Sequence, residues 1–123
     1  MMKNRIGFLL AIILITIATG CGGENSATAK KLNHVLLFKW KPSVTDAEVL
    51  VLSDLWRDLN QEVTGFEEFE MYRVNAGDHD HVVMLTFSSE AAHQQYLSHE
   101  KHLRIAELGK DMVDQFFTYS YWK

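Results

Sequence analysis

The stretch NHVLLFKWKPSVTDAE, residues 33–48, determines how the chain begins its fold. Its first part has strand composition and predicts a strand over residues 33–41, which Pro42 ends because proline cannot donate to the ladder. Apolar residues occur in both alternate sets of that strand, so we expect both of its faces to be covered. Thr45 and Glu48 then form a predicted capping box. In this motif the threonine side-chain oxygen accepts from the backbone amide of Glu48, and the glutamate side chain accepts from the backbone amide of Thr45.

The apolar periodicity after the capping box predicts two helical regions and three more strands. Leucines and Trp56 at helical spacing predict a helix that Gly65 ends. The predicted order continues with an antiparallel hairpin of strands over 66–75 and 81–87, a helix from the serine cap at 88–89 to about residue 98, a further helical stretch over 100–108 that Gly109 breaks, and a strand over 113–122.

The order β-α-β-β-α-β predicts an α+β, ferredoxin-like fold, with one four-stranded antiparallel sheet and the helices on one face. The other face would be bare in a monomer, yet strand alternation places apolar side chains on it: Val35, Leu37, Val82, Met84, Phe117 and Tyr119. An apolar patch of that size predicts a partner. The simplest partner is a second copy of the chain, packed sheet to sheet about a two-fold axis as a homodimer.

The first twenty residues predict a secretion signal of the lipoprotein type. A basic n-region precedes the apolar run 6–17, which is shorter than the ~20 residues of a membrane span, and small residues lead to Cys21. This arrangement resembles a bacterial lipobox, in which the cysteine is lipidated; an ordinary signal peptide with an incidental cysteine is the alternative. We therefore expect a signal peptide over 1–20, a lipidated cysteine and flexible tether over 21–31, and one domain over 32–123.

Composition limits the location and the partners of the chain. The net charge is −4, and loss of the two basic residues of the signal would make it more negative. An acidic domain is a poor candidate for nucleic acid or for a polybasic contact with anionic lipid. The single cysteine excludes an intrachain disulfide. We expect a protein anchored by lipid in the bacterial cell envelope, at the outer membrane if the host is Gram-negative.

Several segments resemble the stress-responsive dimeric α/β barrel (Dabb) domain: HVLLFKWK, TGFEEFEMYRV, DHVVMLTFSS, YLSHEKH and the aromatic-rich last strand. The opening H-V-x-x-F-K and the Y-x-x-H-x-x-H run are the most specific of these. The chain departs from the family pattern at Glu100, where the family usually has proline, and at Ser120-Tyr121, where it often has Asp-Tyr. The first departure bears on the loop after Tyr96 and on the direction of His102.

Strand alternation and helix phase predict an apolar slot between the helices and the sheet. Its predicted lining is His34, Leu36, Phe38, Leu52, Trp56, Val83, Leu85, Tyr96, His102 and Phe116. Three polar groups in an apolar slot are the usual composition of a small-molecule site. The family resemblance implies a catalytic role for Tyr96 and His102. In a polyketide cyclase of this family, a tyrosine and a histidine at the matching positions act in an aldol condensation. Imidazole can take a proton alpha to a carbonyl, and a phenol can donate to the developing oxyanion.

Three interpretations of this site stay open from the sequence. They are binding of a small apolar ligand, acid–base catalysis by Tyr96 and His102, and a purely structural role in a stress-response dimer. No metal site is expected, because neither His79 and His81 at the hairpin nor the later histidines match a compact zinc signature. No cofactor is expected, since the chain shows no diagnostic of haem or flavin and no phosphate loop. His99 is expected at the surface.

Overall fold

The computed structural model describes residues 29–123, which form one antiparallel sheet with helices packed on one face. The elements in chain order are β1 (Leu32–Trp40), α1 (Asp46–Glu62), β2 (Phe66–Arg73), β3 (His81–Phe87), α2 (Glu90–Ser98), α3 (Glu100–Met112) and β4 (Val113–Trp122). The strand order is β2-β3-β1-β4, and each neighbouring pair is antiparallel. The prediction of a ferredoxin-like βαββαβ fold is confirmed, with its second helical region divided into α2 and α3.

The hydrophobic core lies between the helices and one face of the sheet. Leu52 and Trp56 of α1 are almost completely buried, and so are Val83, Leu85 and Phe87 of β3. Full burial of one such side chain contributes ~1.5–3 kcal/mol relative to exposure. The apolar periodicity of α1 and the alternation of β3 therefore fix which sides of these elements meet.

The first helix starts as the capping box predicts. The amide of Glu48 donates to Thr45 Oγ1 at 3.2 Å, and the amide of Thr45 donates to Glu48 Oε1 at 2.9 Å. The helix ends at Glu62, and Gly65 lies in the turn that leads to β2 with φ of +91°. A side chain at that position would place its Cβ only 2.6 Å from Cβ of Ala92, so the turn requires glycine for space as well as for conformation.

Three predicted boundaries were wrong. The first strand covers Leu32–Trp40 rather than residues 33–41. The second strand ends at Arg73 rather than at Asn75, because the hairpin loop begins there. The prediction that Gly109 breaks the last helix also fails, since α3 continues through it to Met112. A glycine inside a helix costs only ~0.5–1 kcal/mol relative to alanine. Burial of Ile105 and Met112 on either side of Gly109 offsets that cost.

The sheet face turned away from the helices is the apolar surface that alternation predicts, and we name Val35, Leu37, Val82, Met84, Phe117 and Tyr119 the bare sheet face. Register places these residues together, because Val35 pairs with both Met84 and Tyr119, and Leu37 pairs with both Val82 and Phe117. Phe117 is 51% exposed and Tyr119 is 61% exposed. The two aromatic residues lie on β4, which is an edge strand and is exposed along nearly its whole length.

The predicted signal peptide and Cys21 lie outside the described residues. From residue 29 onward, no helix combines the length and the apolar character needed to cross a membrane. The first described residues lead directly into β1, where the amide of Lys31 donates to the carbonyl of Lys123 at 2.8 Å. The start of the domain is therefore joined to its end at the edge of the β1–β4 ladder.

Candidate functional site

A cavity of about 460 Å³ opens between α3 and the part of the sheet formed by β1 and β4. This volume lies within the ~300–1,000 Å³ range of small-molecule pockets. The wall is mostly apolar, and the residues that form it are His34, Leu36, Phe38, Trp56, Tyr96, Leu97, His102, Ile105, Ala106, Gly109, Val113, Phe116 and Thr118. Four secondary-structure elements besides α3 contribute to this wall, so the cavity exists only in the folded domain.

The sequence and the structure agree on most of the lining. They share His34, Leu36, Phe38, Trp56, Tyr96, His102 and Phe116. The other three predicted residues, Leu52, Val83 and Leu85, do not line the cavity and are buried in the core instead. For Val83 and Leu85 the strand order gives the reason, because β3 lies on the side of β1 away from β4 and the cavity lies at the β4 side.

The sequence prediction missed the helical wall of the cavity. Ile105, Ala106 and Gly109 of α3 continue the face that begins at His102, at spacings of three and four residues. The predicted helical stretch over 100–108 already places Ile105 and Ala106 at these spacings from His102, whereas Gly109 lies beyond its predicted end. Thr118 was also missed, although it alternates with Phe116 along β4.

Tyr96 lies at the inner wall of the cavity, on the buried side of α2. Its hydroxyl oxygen accepts a hydrogen bond from Trp56 Nε1 at 2.9 Å. Because an indole N–H can only donate, the tyrosine keeps its own O–H free to donate to another group. Burial raises the pKa of Tyr96 well above its ordinary value, against the smaller lowering effect of the Trp56 hydrogen bond. The phenol is therefore a neutral donor at physiological pH.

His102 lies beside Tyr96, with ring centroids 4.6 Å apart. Its Nδ1 is 3.0 Å from the carbonyl oxygen of Leu97, and because a carbonyl only accepts, Nδ1 carries the proton. In the neutral ring, Nε2 is then an acceptor. Burial lowers the pKa of His102, although the hydrogen bond to Leu97 acts in the opposite direction. The first turn of α3 thus holds a neutral imidazole in one tautomer at the cavity wall.

His34 is the third polar group of the cavity and comes from β1. Its Nε2 is 3.4 Å from Thr118 Oγ1, and its buried Nδ1 has no hydrogen-bond partner among residues 29–123. Burial lowers the pKa of His34, and the neighbouring imidazoles of His93 and His102 lower it further. Both histidines that line the cavity are therefore neutral at pH 7.

His93 stands behind the cavity wall, and the sequence did not indicate it. Its ring is 5.3 Å from that of His34 and 6.1 Å from that of Tyr96. Nδ1 of His93 is 3.3 Å from a carboxylate oxygen of Glu90, while Nε2 is buried without a partner in the described part of the chain. His93 therefore forms part of an imidazole cluster around Tyr96 without lining the cavity itself.

His99 has a structural role that its predicted surface position did not include. It is the N-cap of α3, where its Nδ1 accepts from the amide of Lys101 at 3.0 Å, and its Nε2 is 3.3 Å from a carboxylate oxygen of Glu62. The side chain is only 23% exposed. Glu100, which departs from the family proline, is the first residue of α3, a position that suits proline because its amide needs no partner there. The departure leaves the helix start intact, and His102 still faces the cavity.

The two histidines of the hairpin, His79 and His81, contact different parts of the protein. His81 Nδ1 accepts from Trp40 Nε1 at 2.9 Å, whereas the ring of His79 meets Phe117 on the bare sheet face. Between residues 29 and 123, no three histidine, cysteine or acidic side chains come together in a way that could hold a metal ion.

The fold and the cavity place the chain in the class of ferredoxin-like α/β barrel domains. Within that class, the chain belongs to the stress responsive A/B barrel domain (Dabb) family, whose model matches residues 32–122. The resemblance carried by the histidine-containing motifs is thus confirmed at the level of the family. No curated protein matches the chain.

Solved structures show the same fold at low sequence identity. A dimeric ferredoxin-like protein of Thermobifida fusca is 18% identical, with a TM-score of 0.67 over 76% of this chain and 92% of that chain. A Dabb family protein of Mesorhizobium loti is 19% identical, with a TM-score of 0.63 over 75% and 95%. The hydroxynitrile lyase of Passiflora edulis is 12% identical, with a TM-score of 0.69 over 77% and 94%. These similarities show a shared fold alone.

Proposed function

We propose that the domain binds a small, largely apolar molecule in the cavity beneath α3. The observation that supports this function most is the convergence of three polar side chains, His34, Tyr96 and His102, in a wall that is otherwise nearly all apolar. Such a site binds by apolar burial and orients its ligand by a few hydrogen bonds.

A thermal-shift screen of hydrophobic small molecules that carry a carbonyl or a hydroxyl group tests this proposal. The protein is compared with the variants His102→Ala and Leu103→Ala, because Leu103 lies one residue away but is exposed and does not line the cavity. We expect ligands that raise the melting temperature of the parent and of Leu103→Ala, but not of His102→Ala. A complete screen without a hit, with a large loss of stability in His102→Ala, would favour a structural dimer without a ligand.

Acid–base catalysis is the second candidate function. It is favoured by the fixed tautomer of His102, whose Nε2 could take a proton alpha to a carbonyl while the Tyr96 hydroxyl donates to the oxygen that becomes negative. The same fold carries a hydroxynitrile lyase in Passiflora edulis, so the fold is compatible with an enzyme. Turnover of a carbonyl ligand from the screen, lost in both His102→Ala and Tyr96→Phe, would support catalysis; tight binding without turnover would restrict the site to binding.

The domain acts as a homodimer in this proposal, with two copies joined through the bare sheet face. Two similar proteins, from Thermobifida fusca and from Bacteroides fragilis, are described as dimeric. In one copy alone, Phe117 and Tyr119 would expose large aromatic surfaces to water. A second sheet packed on this face would bury them.

A lipid on Cys21 tethers the domain to the cell envelope in this proposal. The support is the basic n-region, the apolar run and the small residues that end in Gly20-Cys21. Cys21→Ser should release the protein from the membrane fraction and leave its precursor unlipidated. Partition of the variant like that of the parent would contradict the lipid anchor and leave the binding proposal untouched.

A further inference from the structure

The cavity lining described above contains no lysine, arginine, aspartate or glutamate. Its two imidazoles are neutral at pH 7, because burial disfavours their charged forms. A ligand that carried a full charge into this wall would lose its hydration and find no countercharge. Such a burial is costly unless the charge is paired and hydrogen-bonded.

The polar groups of Tyr96 and His102 have complementary hydrogen-bonding roles. The Tyr96 hydroxyl oxygen accepts a hydrogen bond from the Trp56 indole and keeps its own O–H to donate, while His102 donates its Nδ1–H to the Leu97 carbonyl and keeps the lone pair of Nε2 to accept. The rings of these two side chains lie 4.6 Å apart, so a donor and an acceptor belong to adjacent side chains of the cavity wall. A single ligand oxygen that accepts from Tyr96 and donates to His102 satisfies both.

We infer that the cavity selects an uncharged apolar molecule with a hydroxyl group, or with a carbonyl in its enol form, and discriminates against the corresponding carboxylate. This inference rests on the proposed binding function and specifies the chemical class of the ligand. A carboxylate can accept from Tyr96 but has no proton for His102 Nε2, and its charge has no cation in the wall. A hydroxyl group can accept from Tyr96 and donate to His102 Nε2 while it carries no charge.

Ala106 offers a way to reverse this selectivity. It lies on α3 at the cavity wall and is itself exposed, so a lysine there can be accommodated and can bring its ammonium group to the mouth of the cavity. Leu103 is the matched control, because it is an exposed residue of the same helix that does not line the cavity. Ala106→Lys and Leu103→Lys add the same charge to the protein and differ in where they place it.

Isothermal titration with 1-octanol and with octanoate at pH 7.5 tests the inference on the purified protein. We expect the alcohol to bind at least about tenfold more tightly than the carboxylate, a difference of ~1.4 kcal/mol. Ala106→Lys should reduce or reverse that preference, and Leu103→Lys should leave it unchanged.

Equal or tighter binding of octanoate by the parent protein would overturn the inference. Failure of both compounds to bind at millimolar concentration, with other ligands found in the thermal-shift screen, would overturn the ligand class but not the binding function. Failure of both compounds together with an empty screen would overturn the binding function as well.

Discussion

Tyr96 is the residue on which the interior of the site depends. Its ring packs against Phe66 and Phe87 as well as His102, and its oxygen is the acceptor for the buried indole of Trp56. One side chain thus serves the core with its ring and the cavity with its hydroxyl. The sequence indicated the second role through the motif, whereas the contact with Trp56 became visible only in three dimensions.

Replacement of Tyr96 by phenylalanine should separate these roles. The ring stays, but Trp56 Nε1 loses its acceptor inside the core, and an unsatisfied buried donor costs ~1–3 kcal/mol. We expect the free energy of unfolding in urea to fall by that amount, with a loss of alcohol binding. Tyr72→Phe is the control, because that hydroxyl donates to a carboxylate oxygen of the exposed Glu70 at 2.8 Å, and the stability of this variant should equal that of the parent. Equal stability of Tyr96→Phe and the parent would contradict the hydrogen bond.

The half-buried histidines should make stability depend on pH. Burial lowers the pKa of His34, His81 and His102, so below pH ~6.5 the unfolded chain binds more protons than the folded one. Their contribution to stability is complete above that pH and is lost as the pH falls through the folded pKa values. Urea unfolding between pH 7.5 and 5.5 should show a decrease in stability that is smaller in His34→Gln. A stability that is flat or that rises on acidification in this range would contradict the account.

At the scale of the elements, local signals determined most of what the structure shows. The capping box at Thr45 fixed the start of α1, and strand composition fixed β3 and β4 at their observed residues. Gly109 misled the prediction, because glycine propensity is a weak local preference and burial of the neighbouring turns overrides it. Gly109 itself was missed as a lining residue for the same reason.

The two glycines, Gly65 and Gly109, give a matched test at this scale. Gly109→Ala should raise the free energy of unfolding by ~0.5–1 kcal/mol, because alanine favours the helix and its Cβ meets nothing closer than 3.9 Å. Gly65→Ala should lower stability by more than that gain, since φ is +91° and its Cβ would stand 2.6 Å from Ala92. Thermal or chemical unfolding of both variants checks the pair. Destabilisation by Gly109→Ala would contradict the continuous helix.

At the scale of the whole molecule, the sequence predicted both the sheet and its bare face, because alternation follows directly from strand geometry. It could not place the cavity correctly across the sheet. The assignment of Val83 and Leu85 to the lining failed because alternation gives the face of a residue but not the position of its strand among the others. Strand order depends on contacts between distant segments, which period and composition do not encode.

A charge on the bare sheet face should divide the proposed dimer. Leu37 lies in the central strand β1, and an aspartate there would be buried without a partner in a sheet-to-sheet interface, at a cost of ~3–5 kcal/mol. Light scattering at micromolar concentration should give a dimer for the parent and a monomer for Leu37→Asp. Leu103→Asp, on the exposed side of α3, should remain dimeric. A monodisperse monomer of the parent protein would refute the dimer but would leave the proposal of ligand binding in the cavity unaffected.

Chemical-shift mapping of backbone amides during a titration with 1-octanol shows whether the cavity binds a ligand. We expect saturable shifts concentrated on β1 near His34, on the segment from Tyr96 to Gly109 and on β4 near Phe116. Saturable shifts confined to the bare sheet face, or no saturable shifts up to the solubility limit of the alcohol, would contradict it.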